Sequence, residues 1–238
     1  MRAFLSAAWR DLVMINYEVP DEMLRPFVPS GVELDRYDGR LYVSVVGFRF
    51  LDTRVLGFGI PGHRSFEEVN LRFYVRRHVG DEVRRGVVFI RELVPRAAVA
   101  VIARLAYNEP YRALPMRHRV DTDGEGRTVR EYAWRADASW TRLRAVTRGP
   151  SQLLAVGSEE EFVTEHYWGY TRQRDGGTIE YRVEHPRWRV WHAGDAALEG
   201  DVAPVYGDAF ARLISGRPRS AFVADGSPVT VFAPSRLR

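Results

Sequence analysis

One stretch, residues 87–114, constrains the fold more than any other part of the chain. It reads VVFIRELVPRAAVAVIARLAYNEPYRAL: a short apolar run, then Pro95, then an alanine-rich segment that from Ala97 to Tyr107 has Arg104 as its one charged residue. An apolar run of this length predicts a strand, and Pro95 suits the first turn of a helix over residues 96–107. A helix that is apolar on all sides is normally enclosed, so we expect this one to be buried.

The predicted helix ends in a polar, aromatic elbow at Tyr107, Asn108, Glu109, Pro110 and Tyr111. We expect this elbow to face a pocket, if the fold has one. A carboxylate at the end of an apolar helix can have a raised pKa and act as a general acid or base. The alternative is structural, with Asn108 capping the helix before a turn that Pro110 stiffens.

The rest of the chain is rich in strand and turn patterns. Residues 9–19 read as a strand that is apolar on both faces, residues 41–51 read as a second long strand, and residues 66–77 alternate between apolar and polar side chains. Gly80 and Asp81 predict a hairpin turn after the alternating strand. Three more aspartate-glycine turn signals begin at Asp123, Asp175 and Asp225.

Short helices interrupt these strands. Asp21 is a plausible N-cap for a helix of one or two turns, and Ser158 with Glu161 forms a capping box. Residues 205–215 are amphipathic and predict a third peripheral helix. So many antiparallel strands leave exposed edges, which closure into a barrel removes. No linker or repeat divides the chain, so we expect a single domain over residues 1–238.

Composition excludes several chemistries. The 238 residues include no cysteine, and all 35 cationic Lys+Arg residues are arginine, so neither a thiolate nor a side-chain Schiff base can form. The net charge is +4, but acidic residues are interleaved with the arginines and no dense basic run occurs, so we expect no nucleic-acid partner. The six histidines lack metal-ligand spacing, which predicts no metal and no cofactor. Arg10 and Asp11 interrupt the apolar N-terminus, so we expect a cytoplasmic protein without a membrane partner.

Two groups of strand residues are candidates for binding. Glu68, Asn70, Arg72 and Tyr74 share one face of the alternating strand, where they would line a cavity or form the solvated side of a hairpin. Arg49 lies inside the apolar run VVGFRFL, and a buried arginine needs an anionic ligand or a carboxylate, such as Glu67 or Glu68.

His166 is a candidate proton carrier beside Glu165 and Tyr170, the alternative being a structural histidine. The catalytic candidates are therefore Glu68, Glu109 and His166. The predicted ligand-binding residues are Arg49, Asn70, Arg72, Tyr107, Asn108, Tyr111 and Tyr170.

Several motifs, in order along the chain, resemble the YqjF-like family of uncharacterised bacterial proteins. They are WRDLVMINYEVPDEMLRPFVPSGVELD, LYVSVVGFRFLDTRV, FEEVNLRFYVRR, TEHYWGYTRQ and EHPRW. That family is remotely similar to acetoacetate decarboxylase, in which a helix ending in Ala-Tyr runs into the Pro-Lys-Lys segment that carries the Schiff-base lysine. Here the similar helix ends at Ala106 and Tyr107 and continues through Asn108, Glu109 and Pro110, with neither lysine present.

The resemblance implies a mainly β (α+β) fold: a cone-shaped antiparallel β-barrel wrapped by further strands, with one buried helix and two or three short peripheral helices. We expect its cavity to bind a small organic acid or carbonyl compound without Schiff-base decarboxylation. The alternative is an enzyme, either a lyase, a hydrolase or an isomerase, that uses carboxylate or histidine acid-base chemistry. Whether the chain forms a homo-oligomer stays open.

Overall fold

A computed structural model describes residues 2–237 of the chain. The helices are α1 (Asp21–Leu24), which runs into a 3-10 turn (Arg25–Phe27), α2 (Ala97–Tyr107), α3 (Glu159–Thr164) and α4 (Ala203–Ile214). The strands are β1 (Ala3–Glu18), β2 (Glu33–Leu34), β3 (Tyr42–Val55), β4 (Phe66–Val79), β5 (Glu82–Val94), β6 (Tyr111–Ala113), β7 (Met116–Thr122), β8 (Thr128–Trp134), β9 (Thr141–Thr147), β10 (Gln152–Leu153), β11 (Trp168–Arg172), β12 (Thr178–Glu184), β13 (Arg189–His192), β14 (Asp195–Glu199), β15 (Ser220–Phe232) and β16 (Ser235–Arg236). The mainly β fold class is therefore confirmed.

The main sheet curls into a partly closed ring. Its strands follow the order β15, β1, β3, β4, β5, β11 and β12, and β12 then pairs back to β15. This closing contact is short, because only Val183 and Glu184 pair with Val231 and Thr230. The strands are not all antiparallel as predicted, since β5 pairs in parallel with both β6 and β11. Helix α2 is the crossover that returns the chain beside β5 in the same direction.

A second sheet packs on the ring. It has the order β14, β9, β8, β7, and its Tyr132 and Leu143 belong to the same buried cluster as Val45 of β3. A side chain on Gly47 of β3 would collide with Tyr132 and Leu143, so glycine allows this close approach.

Strand β4 is buried on both faces. Val69, Leu71 and Phe73 enter the cluster shared with the second sheet, whereas Tyr74 enters a second cluster on the other face. Glu68, Asn70 and Tyr74 are buried and Arg72 is partly buried, so this face is not the solvated side of a hairpin. Polar groups here must find partners within the protein.

Helix α2 lies on the surface, so the prediction of a buried helix is wrong. Only Ala100 and Tyr107 of the helix are buried, while Val101 is 52% and Leu105 is 80% exposed. The helix contacts β5 and β6 on one side and leaves its other side uncovered. An apolar composition therefore did not identify which side of this short helix meets protein.

The turns at Gly80, Asp123 and Asp175 form the predicted hairpins, but the one at Asp225 does not. Strand β15 continues through this position, where Gly226 has a φ of 77° and its carbonyl oxygen accepts a hydrogen bond from Arg10. Ser158 caps α3 as predicted, whereas Asp21 is the first residue of α1 and makes no side-chain cap bond.

We predict that Gly226→Ala will destabilise the fold. The positive φ disfavours any side chain, and the added methyl group would collide with the carbonyl oxygen of Trp9 on β1. Denaturant titration should show a loss of about 2 kcal/mol or more in the free energy of unfolding. Gly124→Ala is the matched control, since nothing lies near that position. Equal stability of the two variants would contradict the predicted strain.

Candidate functional site

Three glutamate side chains are buried together inside the ring. Glu68 lies on β4, Glu92 on β5 and Glu109 in the segment after α2, and their exposed fractions are 2%, 2% and 5%. Asn70 is the direct cross-strand partner of Glu92, and Tyr111 on β6 is paired with Glu92 on its other side. We refer to Glu68, Glu92 and Glu109 as the carboxyl cluster.

The end of α2 positions Glu109. Asn108 adopts the left-handed conformation with a φ of 58°, which ends the helix and reverses the chain. The Asn108 side chain donates a hydrogen bond of 2.9 Å to the carbonyl oxygen of Arg172, which ties the elbow to β11. The predicted capping role of Asn108 is therefore confirmed. Its side-chain amide binds the backbone of β11 rather than the carboxyl cluster.

Glu68 and Glu109 each accept two hydrogen bonds. Glu68 accepts from the Asn70 amide at 3.0 Å and from the Tyr111 hydroxyl at 2.9 Å. Glu109 accepts from the Tyr181 hydroxyl at 2.8 Å and from the Thr171 hydroxyl through the same oxygen atom. These four donors favour the ionised form of the two carboxyls.

Gly169 makes the contact between Tyr181 and Glu109 possible. It lies on β11 directly opposite Tyr181 of β12, and any Cβ atom at this position would overlap the tyrosine ring. Tyr181 also packs edge-on against Tyr107, with ring centroids 4.9 Å apart. The glycine therefore clears the space in which the phenol turns toward the carboxyl cluster.

Glu92 differs from the other two carboxyls. Its Oε2 atom is buried and has no hydrogen-bond partner within residues 2–237, and the same holds for Oδ1 of the neighbouring Asn70. The Tyr111 hydroxyl lies close to Glu92 and favours its ionised form, but its proton is donated to Glu68. Of the three carboxyls, Glu92 is therefore the one whose ionised form is least stabilised by hydrogen bonds.

The carboxyl cluster holds protons at neutral pH. Burial raises the pKa of Glu68 to about 7, against the opposing effect of its hydrogen bonds and of Arg72. Burial likewise raises the pKa of Glu109 to about 7, and the charge of Glu68 adds to the shift. The pKa of Glu92 lies well above its usual value because of burial and of both neighbouring carboxyls. Such groups titrate as a unit.

Arg72 and His166 lie along the same face as the carboxyl cluster. Arg72 donates a 3.1 Å hydrogen bond to the carbonyl oxygen of Val163, and its buried Nε has no partner among the described residues. His166 is enclosed between the rings of Tyr74 and Phe162, and its Nε2 lies 3.6 Å from Asp35, beyond hydrogen-bonding distance. Burial lowers the pKa of His166 to about 4, so the ring is neutral at physiological pH.

Three predicted residues lie apart from the carboxyl cluster or make structural contacts. Arg49 pairs with Asp11, so the expected pairing with Glu67 or Glu68 is wrong. Tyr170 is buried in the cluster shared with the second sheet, on the other side of β11 from Thr171. The Tyr107 hydroxyl donates to the carbonyl oxygen of Phe232 at 3.2 Å.

Sequence reasoning missed Glu92, Thr171 and Tyr181. The hairpin prediction placed residues 82–94 beside β4, and a polar side chain in the run VVFIRELV was a usable signal for Glu92. Thr171 and Tyr181 belong to a later hairpin, and no local pattern connects them with Glu109.

Residues 2–237 lack two structural features. No group of three or more histidine, cysteine, aspartate or glutamate side chains is arranged to hold a metal ion. None of the helices in this range combines the length and apolar character that crossing a membrane requires.

Solved structures share this fold. MppR, an enduracididine biosynthesis enzyme, aligns with a TM-score of 0.73 at 14% identity, over 100% of this chain and 88% of that chain. The acetoacetate decarboxylase of Legionella pneumophila aligns with a TM-score of 0.67 at 14% identity and the same coverage. These likenesses confirm the acetoacetate-decarboxylase-like fold that the resemblance implied.

The sequence also matches uncharacterised proteins. It is 27% identical over 202 residues to the uncharacterised protein YqjF of Bacillus subtilis, covering 84% of this chain and 80% of YqjF. The model of the DUF2071 family, described as an uncharacterised conserved protein, matches residues 6–234. The chain therefore belongs to the DUF2071 family.

Proposed function

We propose that the chain binds a small organic acid or carbonyl compound beside the carboxyl cluster. The observation that carries this proposal is the convergence of Glu68, Glu92 and Glu109 on one apolar pocket of about 220 Å³. Binding sites for small molecules are typically apolar spaces with a few convergent polar groups. The aromatic residues that line this pocket are Trp9, Phe48, Phe50, Phe66, Phe89 and Trp188.

Arg72 gives the proposed site a place for an anionic group. Its side chain borders the pocket, and its unpartnered Nε leaves donor capacity for a carboxylate. MppR, which shares the fold, has been solved in complex with pyruvate, a small keto acid. That ligand is a rational first probe for this chain.

A second candidate function is acid-base catalysis in the same pocket. Burial places the pKa of Glu68 and of Glu109 at about 7, near the value at which a carboxyl both accepts and donates protons at neutral pH. A lyase, hydrolase or isomerase reaction through these two residues is consistent with this property. His166 is the weaker candidate, because a histidine with a pKa of about 4 is a poor proton donor at neutral pH.

The binding proposal predicts a thermal shift that depends on Arg72. Pyruvate and other small carboxylates and ketones should raise the Tm of the wild type, since a ligand that binds only the folded state stabilises it. Arg72→Gln should lose most of the shift for carboxylates, because the guanidinium is their counter-charge. Arg54→Gln is the matched control, since Arg54 is exposed and does not line the pocket. If none of these carboxylates and ketones changes the wild-type Tm, the binding proposal is wrong.

The chain should not form a Schiff base with a keto acid through any side chain. No lysine is present in its sequence, so no side-chain amine can condense with the carbonyl group. Pyruvate followed by borohydride should therefore leave every internal peptide at its unmodified mass. Peptide mapping separates this result from any reaction of the terminal amine. An internal adduct would overturn the exclusion of Schiff-base chemistry.

The carboxyl cluster predicts a pH-dependent effect of Glu68→Gln. Folding raises the pKa of Glu68 from 4.5 to about 7, so the folded state binds the proton more tightly, and the free energy of unfolding falls as pH rises through this window. His166 has the opposite effect below pH 6.5, because its pKa is lowered in the folded state. Comparing the variant with wild type at each pH removes the contribution of His166.

As the pH rises from about 5 to 8, the free energy of unfolding of Glu68→Gln minus that of the wild type should increase by roughly 1–3 kcal/mol. The variant removes a carboxyl whose ionisation opposes folding. Urea titrations over this range measure the difference, and Glu199→Gln, which changes an exposed carboxyl, should show none. A difference for Glu68→Gln that stays flat across the range would contradict the raised pKa.

A further inference from the structure

Glu92 is a buried carboxyl that the surrounding protein does not equip to be an anion. Glu68 and Glu109 together receive hydrogen bonds from Asn70, Tyr111, Tyr181 and Thr171, whereas the buried Oε2 atom of Glu92 receives none within residues 2–237. Arg72 is the cation that acts on the cluster, and it acts on Glu68. A buried carboxylate without a counter-charge, and with one oxygen that receives no hydrogen bond, is disfavoured relative to the neutral acid.

A neutral carboxylic acid carries an O–H group that needs an acceptor. A candidate acceptor is Oδ1 of Asn70, because this residue lies opposite Glu92 on the neighbouring strand and its Oδ1 is also buried without a partner among the described residues. Glu92 also borders the apolar pocket. The Glu92 hydroxyl can therefore donate its hydrogen bond either to Oδ1 of Asn70 or to a bound ligand.

The chemistry of the ligand follows from the neighbouring charges. A carboxylate placed against Glu92 would come close to Glu68 and Glu109, which repel it when ionised. An uncharged carbonyl oxygen accepts the hydrogen bond without adding a charge to this group. The aromatic lining of the pocket fits the remaining apolar part of such a ligand.

We propose that Glu92 is a neutral acid that donates a hydrogen bond to the carbonyl oxygen of an uncharged ketone or aldehyde. This inference rests on the proposed function, and it assigns the carbonyl oxygen of the ligand to Glu92, whereas Arg72 remains the counter-charge for a ligand that also carries a carboxylate. No bond to Glu92 forms or breaks, and the proton stays on the carboxyl group. Glu92 is thus a binding residue that selects between two ligand classes.

The protonation of Glu92 can be measured without a ligand. At about pH 8.5 Glu68 and Glu109, with pKa values of about 7, are mostly ionised, so the infrared stretch of a protonated carboxyl should come from Glu92. The band should be present in the wild type and in the exposed control Glu199→Gln, and absent in Glu92→Gln. Its absence from the wild type would overturn the proposal.

The donor role is tested with three aromatic probes of similar shape. Acetophenone has a carbonyl oxygen, α-methylstyrene replaces that oxygen with a methylene group, and benzoate carries a charge. The wild type should bind acetophenone about tenfold more tightly than α-methylstyrene, the effect of roughly one hydrogen bond. Glu92→Met should lose this preference, whereas Glu92→Gln, whose amide keeps a donor, should retain most of it. Calorimetry with the folded variants measures all three affinities.

The outcomes separate this inference from the proposed function. If the wild type binds benzoate and pyruvate but not acetophenone, the binding function stands and the assignment of Glu92 is overturned. An unchanged preference for acetophenone in Glu92→Met also overturns the assignment of Glu92 as the hydrogen-bond donor to the ligand. If none of the ketones or carboxylates binds the wild type, the proposed function itself fails.

Discussion

Burying three carboxyl groups at one place is the constraint on which this structure depends. Two ionised carboxylates about 4 Å apart in a partly buried site repel each other by roughly 4 kcal/mol, before the loss of hydration is counted. The cluster formed by Glu68, Glu92 and Glu109 has four hydrogen-bond donors, and Arg72 is the cation that stabilises one of its members. The fold can keep these groups only by holding protons on some of them.

The surrounding strands and the end of α2 position this group. Two carboxyls lie on adjacent long strands, and the third follows a helix whose end is fixed by the left-handed Asn108 and its hydrogen bond to β11. The parallel pairing of β5 with β6 places Tyr111 beside Glu92, and Gly169 admits Tyr181 to Glu109. The raised pKa values therefore follow from one arrangement of two paired strands and a capped helix end.

Much of the fold was predictable because turn signals and alternation are local. The hairpins at Gly80, Asp123 and Asp175 were read correctly, and the same reading failed at Asp225 because an aspartate-glycine pair also suits a distortion within a continuous strand. The placement of α2 failed because its composition gives no preferred buried side. Deciding that needs the neighbouring strands, which the local sequence does not specify.

The candidate site was predictable only in part, and Glu92 shows why. On β5, Val87 and Phe89 border the pocket, so strict alternation would put Arg91 there and turn Glu92 away. The register shifts opposite Leu71 and Arg72, where Ile90 is left unpaired, and this bulge reverses the alternation. Glu92 therefore faces the pocket. Arg49 was also predicted only in part. It pairs with a carboxylate as expected, but that carboxylate belongs to Asp11 on β1 rather than to Glu67 or Glu68.

The absence of lysine also affects which ligands the proposed site could bind. An amine supplies a positive charge that attracts acids, whereas the carboxyl cluster offers protons and negative charge. A ligand with its own carboxylate near Glu68 and Glu109 would bind together with a proton, since the added charge raises the pKa of both groups. An uncharged carbonyl compound needs no such proton uptake. If the proposed function holds, the protons held by the cluster, rather than a covalent amine, determine which ligands bind.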